Sequence, residues 1–171
     1  SLSINTLFYK QYVTSLSFII SNIIIISFFS LINILVLPNG LVFFLYLVIL
    51  VSTMDIFAYI GGKIYGKKKI APKISAGKTI EGTLIGLVFT IIVSLMIRNL
   101  MDFNVYQAAI AGFLIAILAF FGDLLESYFK RNIGIKDSGK LIPGHGGLMD
   151  RFDGYFLLLP LYNIYLASLL G

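Results

Sequence analysis

Five stretches of predominantly apolar residues, roughly 16–37, 41–62, 82–101, 105–126 and 152–170, divide this 171-residue chain. About twenty such residues in helical conformation match the hydrocarbon core of a bilayer. In that medium every backbone NH and C=O must be bonded internally. The expected fold is therefore all-α: a polytopic transmembrane helical bundle of about five spans, residues 1–171 forming one integral membrane domain. The composition agrees, with 58% hydrophobic residues, only 12% charged and a mean hydropathy of +0.96. A soluble domain carries about a quarter charged residues. Cysteine is absent, which excludes disulfides and thiolate metal sites. The net charge of +5 resides in loops between apolar spans, a placement suited to anionic lipid or a nucleotide triphosphate and not to nucleic acid.

The chain starts at Ser1 without a basic n-region or cleavage site ahead of the first apolar run, and is expected to be the C-terminal part of a longer architecture. Residues 1–15 mix Lys10 and Gln11 with aromatics and read as an interfacial helix or the remnant of an earlier span. Pro38-Asn39-Gly40 and Met101–Asn104 are expected as tight turns. Gly82 and Gly86 form a small-xxx-small pair that lets the third span approach a neighbour closely. Pro160 should leave the carbonyl of Phe156 unpaired unless a neighbouring helix supplies a donor.

The cations orient the bundle. Lys63, Lys67, Lys68, Lys69, Lys73 and Lys78 fall between the second and third spans; Lys130, Arg131, Lys136, Lys140 and Arg151 fall between the fourth and fifth. Two spans separate these loops, so both lie on one face, which positive-inside bias makes cytoplasmic. Of the eight carboxylates only Asp102 belongs to the other face. Asp55 and Asp123 fall within apolar segments, where an ionised group implies a partner or a water-filled cavity.

The chemistry concentrates from Ser127 to Asp153, where cations, carboxylates, the one histidine and several glycines crowd between apolar spans. Freed backbone NH groups, fixed positive charge and clustered carboxylates suit a phosphate ester and its divalent cation. On a helix Asp123 shares a face with Glu126 and Ser127, and Asp150 and Asp153 repeat the i, i+3 spacing at the start of the last span. These pairs suit Mg2+; the competing reading pairs them with the neighbouring cations. In Pro143-Gly144-His145-Gly146-Gly147 the glycines let main-chain NH groups approach a ligand. His145 is open to phosphate binding, proton transfer, metal ligation or a structural hydrogen bond. The run fits neither a Walker A loop nor a dinucleotide fingerprint. In the other loop Ser75-x-x-Lys78-Thr79-x-Glu81 mixes hydroxyls, a cation and an acid beyond what an anchor needs, although Ser75 or Thr79 also suits a helix N-cap.

The run Ser127-x2-Lys130-Arg131-x4-Lys136-Asp137-x-Gly139-x2-Ile142-Pro143-x-His145-Gly146-Gly147-x2-Asp150-Arg151-x-Asp153 resembles the motif of the CDP-diacylglycerol synthases (phosphatidate cytidylyltransferases). Asp55-x2-Ala58-Tyr59-x2-Gly62 with Gly66-Lys67, the Ser75–Gly82 segment and Gly122-Asp123-x2-Glu126-Ser127 are similar to the same family. The likeness covers roughly residues 52–154. Ala76 stands where that family often has proline, and Gly154 where it often has serine.

The resemblance implies a membrane nucleotidyltransferase that joins CTP and phosphatidate into CDP-diacylglycerol and pyrophosphate with Mg2+, a monovalent cation being an optional companion. It implies Asp123 and Asp150 as metal-binding acids, with Lys130, Arg131, Lys136 and His145 beside them in the catalytic region. Asp55, Lys67, Ser75, Lys78, Thr79, Glu81, Ser127, Asp137, Gly146, Gly147, Arg151 and Asp153 are then expected around the substrates. The expected setting is the cytoplasmic (inner) membrane, with CTP, phosphatidate, membrane lipids and, as one option, a second copy of the chain as partners. Two rivals stand beside it: a CTP-dependent polyprenol or phytol kinase, and a cation-coupled transporter using Asp55 and Asp123.

Overall fold

The computed structural model describes residues 2–132, 134–135 and 149–170, with side chains from position 14 onward except at 16, 149–151, 153 and 169–170. Five helices run in chain order: α1 (Leu2–Val36), α2 (Gly40–Tyr65), α3 (Ile80–Met96), α4 (Val105–Asn132) and α5 (Met149–Leu170). A two-stranded antiparallel hairpin, β1 (Lys69–Ala71) and β2 (Ser75–Thr79), interrupts the first basic loop. Among the described residues three helical stretches are long and apolar enough to cross a membrane: Ser17–Val36, Gly40–Tyr65 and Val105–Asn132. At 17 residues α3 spans only about 25 Å, and a 3-10 turn, Arg98–Met101, lengthens it. The chain is a helical membrane protein.

Several boundaries differ from the sequence reading, α4 among them, which runs on to Asn132 beyond its expected end at 126. Residues 2–15 are continuous with the first span, because no glycine or proline interrupts the run before Pro38. The third span closes five residues early, at Met96, where the 3-10 turn and Asp102 at φ 52° reverse the chain. Asn104 and Gln107 then trade backbone-NH bonds at 2.9 Å each, a reciprocal cap that starts α4. The Pro38-Asn39-Gly40 turn forms as expected, Gly40 NH donating to Leu37 O at 2.8 Å. A Cβ on Gly40 would fall 2.2 Å from Ile34 O, so only glycine fits there.

α2 and α3 touch backbone to backbone. A Cβ at Gly82 would lie 2.4 Å from Ala58 O, and one at Gly86 would lie 2.8 Å from Met54 O. This is the close approach that small residues permit in lipid, where dispersion and not hydrophobicity holds helices together. The core lies toward the end of α2 remote from the basic loops, where Tyr46, Leu47 and Leu50 pack with Ile115 of α4 and Leu158 and Leu166 of α5. α1 lies along α5 and presents Phe18, Ile25, Phe28 and Phe29 outward. Pro160 sits inside α5 and frees the Phe156 carbonyl, and the buried Ser27 hydroxyl of α1 donates to it at 2.5 Å. A neighbour thus supplies the missing donor.

Candidate active site

The hairpin folds because Ala71-Pro72-Lys73-Ile74 makes a turn, Ile74 NH donating to Ala71 O at 3.0 Å with proline at the second position. Its register shifts between Lys69 and Ala71. Where β2 ends, Thr79 caps α3, its buried side chain accepting from Gly82 NH at 3.2 Å. Glu81 accepts from the backbone NH of Lys67 at 3.0 Å and of Lys68 at 3.2 Å. The bond from Lys67 most of all, then Glu81's own backbone NH, with Lys68 adding less, holds its carboxyl below the usual range. Glu81 stands just before the apolar run of α3 and works here as the fastener of the basic loop.

Beneath the hairpin a cavity of about 450 Å³ opens between α2, α3 and α4. Asp55, Ser75, Lys78, Thr79 and Asp123, all singled out in the sequence, line it together. Asp123 Oδ2 meets Lys78 Nζ at 2.6 Å, and Oδ1 accepts from the Ser127 hydroxyl one turn on at 3.3 Å. Lys78 also reaches the Phe120 carbonyl at 3.4 Å and lies 4.7 Å over that ring. Asp55 faces the same space, within electrostatic reach of Asp123 and Lys78.

Other expected residues lie elsewhere. Lys130 turns to a different side of α4 and pairs with Glu126 at 2.5 Å, beside a small apolar groove shared with α1 and α5. Arg131 joins the two basic loops, donating to Ile74 O of the hairpin turn at 3.3 Å and to Ile135 O at 3.4 Å. Lys67 contributes its backbone to Glu81 and is absent from the cavity lining. Lys136, Asp137, His145, Gly146 and Gly147 lie outside the described residues, and Asp150, Arg151 and Asp153 are described in backbone only.

That backbone still sets a depth. Gly154 of α5 packs where a Cβ would lie 3.6 Å from Ala119 O of α4 and 3.8 Å from a Val51 methyl of α2. Four residues toward the basic end, about 6 Å along each axis, stand Asp55, Asp123 and Asp150. Two parallel helices, α2 and α4, and the antiparallel α5 thus carry an aspartate at one level. Among the described residues no group of three or more His, Cys, Asp or Glu gathers around a point. The donors that Asp55, Asp123 and Ser127 bring to this level are all oxygens. That set suits Mg2+, which prefers oxygen and usually takes one or two protein carboxylates with water and phosphates.

Sequence reasoning passed over Tyr59, Lys63 and Lys69 as site residues, yet all three line the cavity. Helical spacing held the signal, since Tyr59 and Lys63 follow Asp55 by four and eight positions on one face of α2. Lys69 was hidden because a run of lysines ahead of a span also satisfies a membrane anchor.

Comparison with known proteins follows the same outline. The phosphatidate cytidylyltransferase of Staphylococcus haemolyticus is 43% identical over 133 residues, covering 77% of this chain and 51% of that protein. The protein of the same name from Staphylococcus aureus (strain COL) is 46% identical over 132 residues, 76% of this chain and 51% of the relative. The uncharacterized protein YnbB of Escherichia coli (strain K12) is 45% identical over 127 residues, 74% of this chain and 43% of that protein. The chain spans about half the length of the curated relatives it matches. A cytidylyltransferase family match extends over residues 3–169, from the first turn of α1 to the last of α5, and the chain belongs to that family.

Proposed function

We propose that this protein transfers a cytidylyl group from CTP to phosphatidate, forming CDP-diacylglycerol and releasing pyrophosphate at the cytoplasmic face of the inner membrane. The observation that carries the reading is Asp123, a carboxylate within an apolar helix that opens into a cavity bordered by Lys63, Lys69 and Lys78. An ionised acid at membrane depth needs a counter-charge or a water-filled cavity, and such residues mark substrate and ion sites. The names of the staphylococcal relatives support the same chemistry.

Both substrates are polyanions, so their approach is opposed by charge repulsion. A phosphate oxygen of phosphatidate, already ionised near neutral pH, attacks the α-phosphorus of CTP. The bond from that phosphorus to the bridging oxygen breaks, and pyrophosphate leaves with the electron pair. No strong base is needed, and His145 is not required for that role. Lys63, Lys69 and Lys78 supply fixed positive charge to the phosphates in the cavity. Arg131, through Ile74, holds the hairpin that roofs it. Lys130 and Glu126 face the groove by α1 and α5, on a side of α4 suited to the lipid. Asp123 and Asp150 are the residues that would hold Mg2+, which when bound lowers the charge of the phosphates. Apolar walls on α1 meet acyl chains and bilayer lipid while the polar cavity meets soluble nucleotide.

The test is an assay of the purified protein with CTP and phosphatidate, with product identification and with or without Mg2+. CDP-diacylglycerol and pyrophosphate in equal amounts support the reading. CDP with a phosphorylated lipid alcohol would make the protein a lipid kinase. Substrate flux into sealed liposomes without nucleotide turnover would make it a transporter.

A further inference from the structure

The carboxylate assigned above to a divalent cation already holds a cation of its own. Lys78 comes from β2 and Asp123 from α4, so their 2.6 Å contact joins two separate elements across the cavity. The contact is partly sheltered, with the two side chains 19% and 30% exposed. Asp123 uses its other oxygen for Ser127. Magnesium binds oxygen at about 2.0–2.1 Å. An ammonium and a dication crowded on one carboxylate would repel each other strongly in a site sheltered from water.

We infer that Lys78 is an exchangeable counter-ion for Asp123: it neutralises the acid while the cavity lacks nucleotide, and yields it when nucleotide and divalent cation arrive. The reading rests on Asp123 as the metal-holding acid proposed above. The lysine stem rotates freely about several bonds and carries its charge at the tip. Released from Asp123, the ammonium remains in the cavity, where the phosphates of the nucleotide replace the carboxylate as its partner. Lys69 and Lys63 border the same space and share that role. The consequence is thermodynamic coupling. Divalent cation alone binds weakly because it must displace Lys78, whereas nucleotide gives Lys78 a new partner and so tightens the metal, with the reciprocal effect on nucleotide.

The experiment uses the full chain in detergent with Mn2+ alone, bound ion being read from loss of the free-ion paramagnetic resonance signal. Wild type, Lys78→Met, Lys78→Gln, Lys78→Arg and Asp123→Asn are compared, each first shown to keep its thermal unfolding transition. Without nucleotide, Lys78→Met or Lys78→Gln should bind Mn2+ about tenfold more tightly than wild type, and Lys78→Arg should stay near wild type. With the Mn2+ taken up by CTP in protein-free solution subtracted, adding CTP should tighten Mn2+ on wild type and much less on Lys78→Met. Equal or weaker Mn2+ binding by both uncharged variants overturns the exchange. Binding that is insensitive to Asp123→Asn in wild type and in Lys78→Met overturns instead the metal role of Asp123 on which the exchange rests. The two failures are therefore told apart.

Discussion

Polar groups stand inside both ends of this bundle, and they are handled in opposite ways. At the end remote from the basic loops, the Tyr46 hydroxyl meets the Ser94 hydroxyl at 2.6 Å, and Ser94 in turn donates to Ala108 O. Tyr162 donates to Phe43 O at 3.3 Å and Tyr165 to Gln107 O at 3.2 Å. Phe103 lies edge-on to both Tyr46 and Tyr165, which closes the layer. These hydroxyls tie neighbouring helices to one another. At the basic end Asp55, Asp123 and Lys78 line open space instead. The lesson is one of allocation: neutral hydroxyls that find carbonyls hold a membrane bundle together, while charges left facing a cavity are available to a ligand.

Substitutions can break or sharpen that division. Asp123→Asn should lower turnover by about 10²–10³-fold, measured as pyrophosphate release, while its unfolding midpoint stays near wild type. A large fall in the midpoint instead would make Asp123 a structural residue like those of the far end. Ser94→Ala removes a partner of Tyr46 and the donor to Ala108 O in a fully buried site. Denaturation in detergent should show a loss of about 1–3 kcal/mol, with the KM for CTP unchanged. A shifted KM would show that the two ends are coupled. Arg131→Ala cuts an exposed link between α4 and the hairpin worth about 0.5–1 kcal/mol. KM for CTP should rise about two- to fivefold, with little change in stability. Smallest of all, Ser27→Ala leaves the Phe156 carbonyl without its donor from α1. It should destabilise the bundle by about 0.6 kcal/mol, the average for such bonds in membrane bundles, and leave kinetics intact.

Much of the architecture was legible because bilayer physics admits few solutions. Apolar length marked the helices, Pro38-Asn39-Gly40 marked a turn, and Gly82 with Gly86 marked the closest helix contact. Even the donor required opposite Pro160 could be anticipated, though not that Ser27 supplies it. That identity depends on how α1 lies against α5, and apolar helices all read alike in sequence. The hairpin was missed because three- and five-residue strands carry too little pattern to outweigh a lysine-rich loop. Within the site, intramembrane placement singled out Asp55 and Asp123, and the fold sets both in the lining of one cavity. The division between Lys130 and Arg131 was not legible: adjacent helical residues point about 100° apart, and only the packed bundle says which direction meets the hairpin.

The hydroxyl clasp on α5 reaches further than its small energy suggests. Phe156 lies six residues beyond Asp150, so the clasp ties α1 to the stretch between the acidic start of α5 and Pro160, alongside the packing of the two helices. The lipid-facing helix, which among the described residues contributes nothing to the cavity wall, thereby helps to hold the helix that follows the second basic loop in its place in the bundle.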